Sequence, residues 1–183
     1  MNRIASTIAV TLMVTVSVAS GAEFKSGLQV GEYPGAFYVT DVTGPSAGEA
    51  LCYRCQYGSR PVVSIFARSM DDDVKQLVKQ IDTLVGEKKD DRLAAFVVLL
   101  SDTPDEQAST LKTVATENKI TNTPLTTYKK ADGPRKYDLH EEADITVLMW
   151  VDNDVKVNHA FAKGKLTKDA IAKVVSDTSM ILN

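Results

Sequence analysis

The unbroken apolar run from Leu93 to Leu100 limits the folds open to this chain more than any other stretch. It is too short to cross a membrane and lacks alternating polar residues, a pattern typical of a strand buried on both faces of a parallel sheet. Before it come a β-rich run, Pro61–Ala67, and an amphipathic helix with inward positions at Val74, Leu77, Val78, Ile81, Leu84 and Val85. This order predicts a β-α-β unit with a right-handed crossover.

The rest of the chain predicts further helices and strands. A Pro104 helix start predicts a helix to about Asn118, and another is expected from about Thr167 to Thr178. The spacing of Ser46 and Glu49 is that of a capping box, which predicts a short helix over about 47–57 that Gly58 ends. Strands are expected at 36–42, 144–151 and 155–161. These elements predict an α/β sandwich: a central mixed sheet with helices on both faces.

The N-terminus is typical of a secretory signal peptide. Arg3 gives a positive start, Ile4–Val18 is apolar, and small residues lead to a cleavage site near Ala22. We expect the protein to be exported, to a periplasm or to the outside, with no membrane association after cleavage. The alternative, a membrane anchor, needs about 20 apolar residues. The division expected is a signal peptide at 1–22, an extended arm at 23–35 and one domain at 36–183.

The charge balance excludes one class of partner. Without Arg3, the 21 lysines and arginines fall to 20 against 24 acidic residues, a net charge of −4 for the mature chain. Nucleic-acid binding usually needs a basic surface, so no nucleic-acid partner is expected. A local exception is the basic segment around Gly133 and Pro134, with Lys129, Lys130, Arg135 and Lys136. From its sequence, we interpret this basic segment as a solvated loop.

The two cysteines of the chain, Cys52 and Cys55, are spaced C-x-x-C just before the strand at Pro61–Ala67. In an exported protein their default state is a disulfide. Such a pair can exchange disulfides with a protein partner, and Arg54 and Arg60 would lower a thiol pKa. Cys52, nearer the start of the expected helix, is the expected attacking residue.

The order of elements over roughly residues 36–178 resembles the thioredoxin-like superfamily. The strand at 36–42 and the long connection at 119–143 are more similar to its peroxiredoxin branch. The resemblance also covers the strand Pro61–Ala67, the late hairpin and the helix start after Gly164. It implies a thioredoxin-like three-layer sandwich and a redox role.

The sequence departs from the superfamily where its working members carry their chemistry. Their nucleophilic cysteine follows the first core strand, where this chain has Ala67–Asp72 and no cysteine. Their cis-proline precedes the late hairpin, where this chain has Asp144–Thr146, and Pro124 comes about 20 residues too early. No catalytic residue therefore transfers by position, and Cys52 and Cys55 remain the candidate site.

Three interpretations of the pair stay open. The first is thiol–disulfide exchange. The second is a non-catalytic binding or scaffold module in which the pair is a structural disulfide. The third is a metal site, which would need His140 or His159 to reach the cysteines. No metal or cofactor is expected under the first two. Haem attachment is excluded in its usual form because Gln56 follows Cys55.

Overall fold

The computed structural model describes residues 25–182, so the predicted signal peptide lies outside the described residues. Within this range no helix is long and apolar enough to cross a membrane. The strands are β1 (Val39–Asp41), β2 (Ala50–Leu51), β3 (Val62–Ala67), β4 (Ala94–Leu100), β5 (Leu125–Tyr128), β6 (Ala143–Val151) and β7 (Asp154–Ala162). The helices are α1 (Tyr53–Tyr57), α2 (Asp72–Glu87), α3 (Pro104–Glu117) and α4 (Lys168–Asp177), with 3-10 helices at Arg135–Tyr137 and Thr178–Ile181.

The strands form one mixed sheet in the order β2-β1-β5-β4-β3-β6-β7. The central strands β3, β4 and β5 are parallel, whereas β6 is antiparallel to β3 and pairs with β7 as a hairpin. Every residue of β4 is buried. The prediction from its continuous apolar run is therefore confirmed.

The three long helices lie on one face of the sheet. The connections β3-α2-β4 and β4-α3-β5 step in the same direction across the sheet, and right-handed crossovers then place both helices on the same side. Leu77 of α2, Leu111 of α3 and Ile171 of α4 pack in one buried cluster with Ile65 and Val97.

The second face is covered by short helices and irregular chain. The cluster there holds the sheet residues Phe66, Phe96 and Trp150, packed against Tyr53 of α1 and Tyr137 of a 3-10 helix. The predicted α/β sandwich with helices on both faces is confirmed, with the short α1 as the main helix of the second face. This face carries the two cysteines.

The segment before β1 is irregular but fixed to the sheet. The Gly31 amide donates to Val155 O at 2.9 Å, and the Val155 amide donates to Glu32 O at 3.1 Å. Nearer the N-terminus, the hydroxyl groups of Ser26 and Thr146 share a buried hydrogen bond of 2.7 Å. The segment therefore covers part of β7, which is otherwise an edge strand.

The helix predicted over 47–57 from the Ser46–Glu49 spacing is wrong in its first half. The chain there forms a loop and β2, and α1 starts only at Tyr53. The reason is Asp41, whose buried carboxylate accepts the amides of Gly44 at 2.8 Å and Ser46 at 2.9 Å. Ser46 is thereby held in a loop that returns the chain to pair with β1, while Gly58 does end the helix, with φ of 59°.

Candidate functional site

Cys52 and Cys55 form a disulfide at the start of α1, with 2.06 Å between the Sγ atoms and 5.2 Å between the Cα atoms. Cys52 is the N-cap residue, with extended backbone, and Cys55 lies in the first turn. The Cys55 amide donates to the Cys52 Sγ at 3.1 Å. The N-cap position differs from the sequence prediction, which placed Cys52 inside a helix over about 47–57.

The two cysteines of this bond differ in exposure. Cys52 is 6% exposed, because it leaves β2 directly behind the buried Leu51. Cys55 is an exposed residue. Cys55 is therefore the more exposed residue of the pair, which gives no support to the expectation that Cys52 attacks.

A buried hydrogen bond fixes α1 to the strand beside it. Tyr53, 2% exposed, donates from its hydroxyl to Asp41 Oδ2 at 2.9 Å. Burial, and then the bond to Asp41, raise the pKa of the Tyr53 hydroxyl well above its ordinary range. A Cβ on Gly44 would collide with the Tyr53 hydroxyl and with Asp41 Oδ2, so the loop comes this close only with glycine.

The two arginines near the pair are engaged by other groups. Arg54 donates from Nε to Pro34 O at 2.7 Å, and its guanidinium lies 4.6 Å from the centre of the Tyr33 ring. Arg60 donates from Nε to Arg92 O at 2.8 Å, so it holds the chain that leads into β4. Arg54 remains the cation next to Cys55 in the chain, whereas Arg60 has a structural role.

The β3–α2 junction, residues 68–71, contains no cysteine. Ala67 pairs with Ile145, and Asp71 caps α2 by accepting the Val74 amide at 2.9 Å. Burial, and after it the nearby Asp71 carboxylate, raise the pKa of Asp144. An acidic junction of this kind would disfavour a thiolate, which agrees with the absence of a cysteine there.

The histidines do not support a metal site at the pair. His159 Nε2 lies 3.0 Å from Asp177 Oδ2, between β7 and the end of α4. His140 precedes β6, where its Nδ1 accepts the Glu142 amide at 3.2 Å. Across residues 25–182, no three His, Cys, Asp or Glu side chains form a group that could hold a metal ion.

Sequence reasoning missed the residues that shape the surroundings of the pair. Asp41 and Tyr53 anchor α1, and the exposed rings of Tyr33 and Tyr38 lie on the segment before β1. Asp41 does carry a signal, since an Asp at a strand end shortly before a turn such as Thr43-Gly44-Pro45 commonly binds loop amides through its side chain. The aromatic residues carry no comparable signal.

The fold of this chain resembles those of several solved structures, although its sequence matches no known family. No model of a known protein family matches the sequence, and no curated protein matches it. Among solved structures, a proposed protein disulfide isomerase from Bacteroides thetaiotaomicron superposes with a TM-score of 0.64 at 16% identity, covering 87% of this chain and 94% of its own.

Two other solved structures resemble the chain over a similar length. A proposed thiol:disulfide interchange protein, DsbE, from Chlorobium tepidum has a TM-score of 0.59 at 14% identity and covers 82% of this chain and 99% of its own. Peroxidoxin BcpB from Mycobacterium tuberculosis has a TM-score of 0.60 at 15% identity and covers 82% and 96%. At these identities the likeness establishes the fold alone, and this chain has a thioredoxin-like fold, with a peroxidoxin among the solved structures that share it.

Proposed function

We propose that the protein exchanges disulfides with thiols or disulfides of partner proteins through Cys52 and Cys55. The observation that carries this proposal is the unequal exposure of the two cysteines, since Cys55 is an exposed residue and Cys52 is buried. Exchange needs one sulfur that a partner can reach and one that stays beside it. A disulfide that only closes a loop of this length removes little chain entropy, roughly 2 kcal/mol.

In this exchange Cys55 is the residue that reacts with the partner. In the reduced protein, the Cys55 thiolate attacks a partner disulfide, forms a mixed disulfide and releases one partner thiolate. The Cys52 thiolate then attacks the Cys55 sulfur, which re-forms the Cys52–Cys55 bond and releases the second partner thiolate. The partner gains two electrons and this protein loses two. In the reverse direction, a partner thiolate attacks Cys55 and expels Cys52.

The hydrogen bond at Cys52 suits the role of leaving group. When a partner attacks Cys55, negative charge develops on the Cys52 sulfur. The Cys55 amide already donates to this sulfur at 3.1 Å, and a donor of this kind stabilises a thiolate. No equivalent donor to the Cys55 sulfur is found among the hydrogen bonds of the described residues, which favours attack in the order given.

The reduction potential tests the proposal. Titration of the purified protein against glutathione, with trapping of free thiols, should give a value above about −230 mV, as for exchangeable disulfides. Trapping should then show that Cys52→Ser forms a stable mixed disulfide with glutathione and Cys55→Ser does not. A potential below about −300 mV would make the pair a structural disulfide and refute the proposal.

The second candidate is a binding or scaffold module in which the disulfide only holds α1. The observation in its favour is the β3–α2 junction, where Asp71 caps the helix and no cysteine is present. Under this proposal the pair would resist glutathione, and replacing both cysteines with serine would weaken the fold without affecting partner binding.

We also propose that the protein is exported, with cleavage near Ala22. The support is the sequence of residues 1–22 together with the disulfide, since disulfides persist in oxidising compartments. Mass spectrometry of the protein from its native cells should give an N-terminus at or near Glu23. An intact Met1 in a protein recovered from the cytosol would contradict export.

A further inference from the structure

An aromatic groove of about 440 Å³ lies between the residues before β1 and the loop that follows β5. Its walls include Phe37, Tyr38, Tyr128 and Tyr137. The Phe37 ring centre lies 4.8 Å from that of Tyr137 and 6.3 Å from that of Tyr128, so these three rings pack together, with Phe37 and Tyr137 buried. Tyr38 is 68% exposed and Tyr128 is partly exposed, so these two rings are the ones open to a partner.

The charged residues that line this groove are all cations: Lys129, Lys130, Arg135 and Lys136. All four are exposed, and among residues 25–182 none of them is paired with a carboxylate. The chain as a whole carries a net charge of −3. The groove is therefore a local positive site on an otherwise acidic protein.

The loop that carries these cations exposes their side chains to solvent and is nevertheless held in place. Tyr137 is fully buried and donates its hydroxyl to Gly35 O at 2.9 Å. The Ala131 amide donates to Asp102 Oδ1 at 3.1 Å, which fixes the other side of the loop. Binding a ligand here would cost little ordering of the protein, which favours affinity.

We propose that this groove binds an acidic segment of a partner polypeptide, with an aromatic or apolar side chain of that segment against the rings. The cations are complementary to carboxylates, and the aromatic surface is complementary to an apolar anchor. An inorganic anion would use only the cations and leave the rings without a role. The volume suits one or two side chains.

One wall of the groove leads into β1, which pairs with the strand just before the disulfide. Val39, which follows Tyr38, pairs with Leu51, which precedes Cys52. A polypeptide held in the groove therefore has a route along β1 towards the start of α1. The binding proposal goes beyond the exchange proposal and does not depend on it, because a peptide can bind whether or not the cysteines exchange.

Fluorescence polarisation tests the proposal on the purified, oxidised protein. The probe is a fluorescein-labelled, glutamate-rich peptide with one central tyrosine, compared with versions that carry glutamine for glutamate or alanine for tyrosine. We expect the glutamate–tyrosine peptide to bind at least about tenfold more tightly than either version, and the affinity to fall as salt is added.

Two matched variants each neutralise four cations, one variant in the groove and the other elsewhere on the surface. Replacing Lys129, Lys130, Arg135 and Lys136 with glutamine should weaken binding at least about tenfold. The same change at Lys89, Lys112, Lys165 and Lys168, which are exposed and unpaired in the described residues, should leave the affinity within about twofold. The peptide affinity of the double variant Lys129→Gln/Lys136→Gln should lie between those of the two quadruple variants. This double variant provides the test if the first quadruple variant fails to fold.

Three results would overturn the inference. The first is equal weakening by both quadruple variants, which would indicate attraction to net charge alone. The second is equal binding of the glutamine version of the peptide. The third is displacement of the peptide by inorganic phosphate at equal concentration, which would make the groove a small-anion site. The reduction potential is measured separately, so the outcome for exchange stays distinguishable from the outcome for binding.

Discussion

Cys55 is exposed while Cys52, the other half of the same disulfide, is 6% exposed. The two residues lie at different places in the fold: Cys52 is the N-cap residue between β2 and α1, and Cys55 lies in the first turn of that short helix. The C-x-x-C spacing does not distinguish the two cysteines, whereas their exposure in the folded protein does.

The first prediction concerns the reactivity of the two thiols. After brief reduction, iodoacetamide should alkylate Cys55 at least about tenfold faster than Cys52, because alkylation needs an accessible thiolate. Peptide mass spectrometry over a time course measures both rates in one sample. In denaturant the rates should become similar. Faster modification of Cys52 in the folded protein would contradict the proposed order of exchange.

Tyr53→Phe should destabilise the protein by about 1–3 kcal/mol, because Asp41 would lose one donor in a buried site. The loss should fall at the low end, since the Gly44 and Ser46 amides remain on the same carboxylate. Urea unfolding measures it. Tyr38→Phe removes a hydroxyl from an exposed ring and should change stability by less than about 0.5 kcal/mol.

Asp82→Ala should cost roughly 2–4 kcal/mol of stability. Asp82 is 2% exposed, and its Oδ1 accepts three successive amides, those of Thr121 at 3.0 Å, Asn122 at 2.6 Å and Thr123 at 2.9 Å. Without this carboxylate, the turn before β5 loses its hydrogen bonds. Hydrogen exchange at the three amides should accelerate together with the loss of stability.

The matched controls for Asp82 are Asp82→Asn and Glu87→Ala. Asp82→Asn keeps an acceptor oxygen and loses the charge, so its effect should be about half as large. Glu87 is exposed on the same helix, and Glu87→Ala should be within about 0.5 kcal/mol of the parent. Unchanged amide exchange in Asp82→Ala would show that the turn is held by other contacts.

The last prediction concerns pH. Burial lowers the pKa of His159 below its ordinary 6.5, with partial opposition from Asp177. The unfolded chain therefore binds more protons at this histidine than the folded chain does. Its contribution to stability is present above about pH 6.5 and is lost as the pH falls through the folded pKa.

Urea midpoints between about pH 8 and pH 5 should show this loss, and His159→Gln should reduce the slope. Asp177 contributes separately at lower pH, because its pKa is lowered by the hydrogen bond from Lys173 and its contribution is lost only as the pH falls below about 3.8. An identical slope in the parent and in His159→Gln would refute the assignment.

The sequence determined the elements whose signals are local. The helices α2, α3 and α4 follow from apolar residues at helical spacing, and β4 follows from its continuous apolar run. The β6–β7 hairpin follows from Asp152 and Asn153, which adopt the positive φ that such a turn requires. These patterns depend on neighbours within a few residues, so they can be recognised without knowledge of the fold.

Only the tertiary structure decided what depends on distant contacts. The buried carboxylate of Asp41 turned an expected helix start at Ser46 into a loop, because a hydrogen-bonded charge outweighs a local capping preference. Packing likewise decided which cysteine is exposed. The groove at Tyr137 arises where residues far apart in sequence meet, since the Tyr137 hydroxyl bonds Gly35 O across the fold. Burial and long-range pairing are properties of the folded chain, so the C-x-x-C spacing alone does not show them.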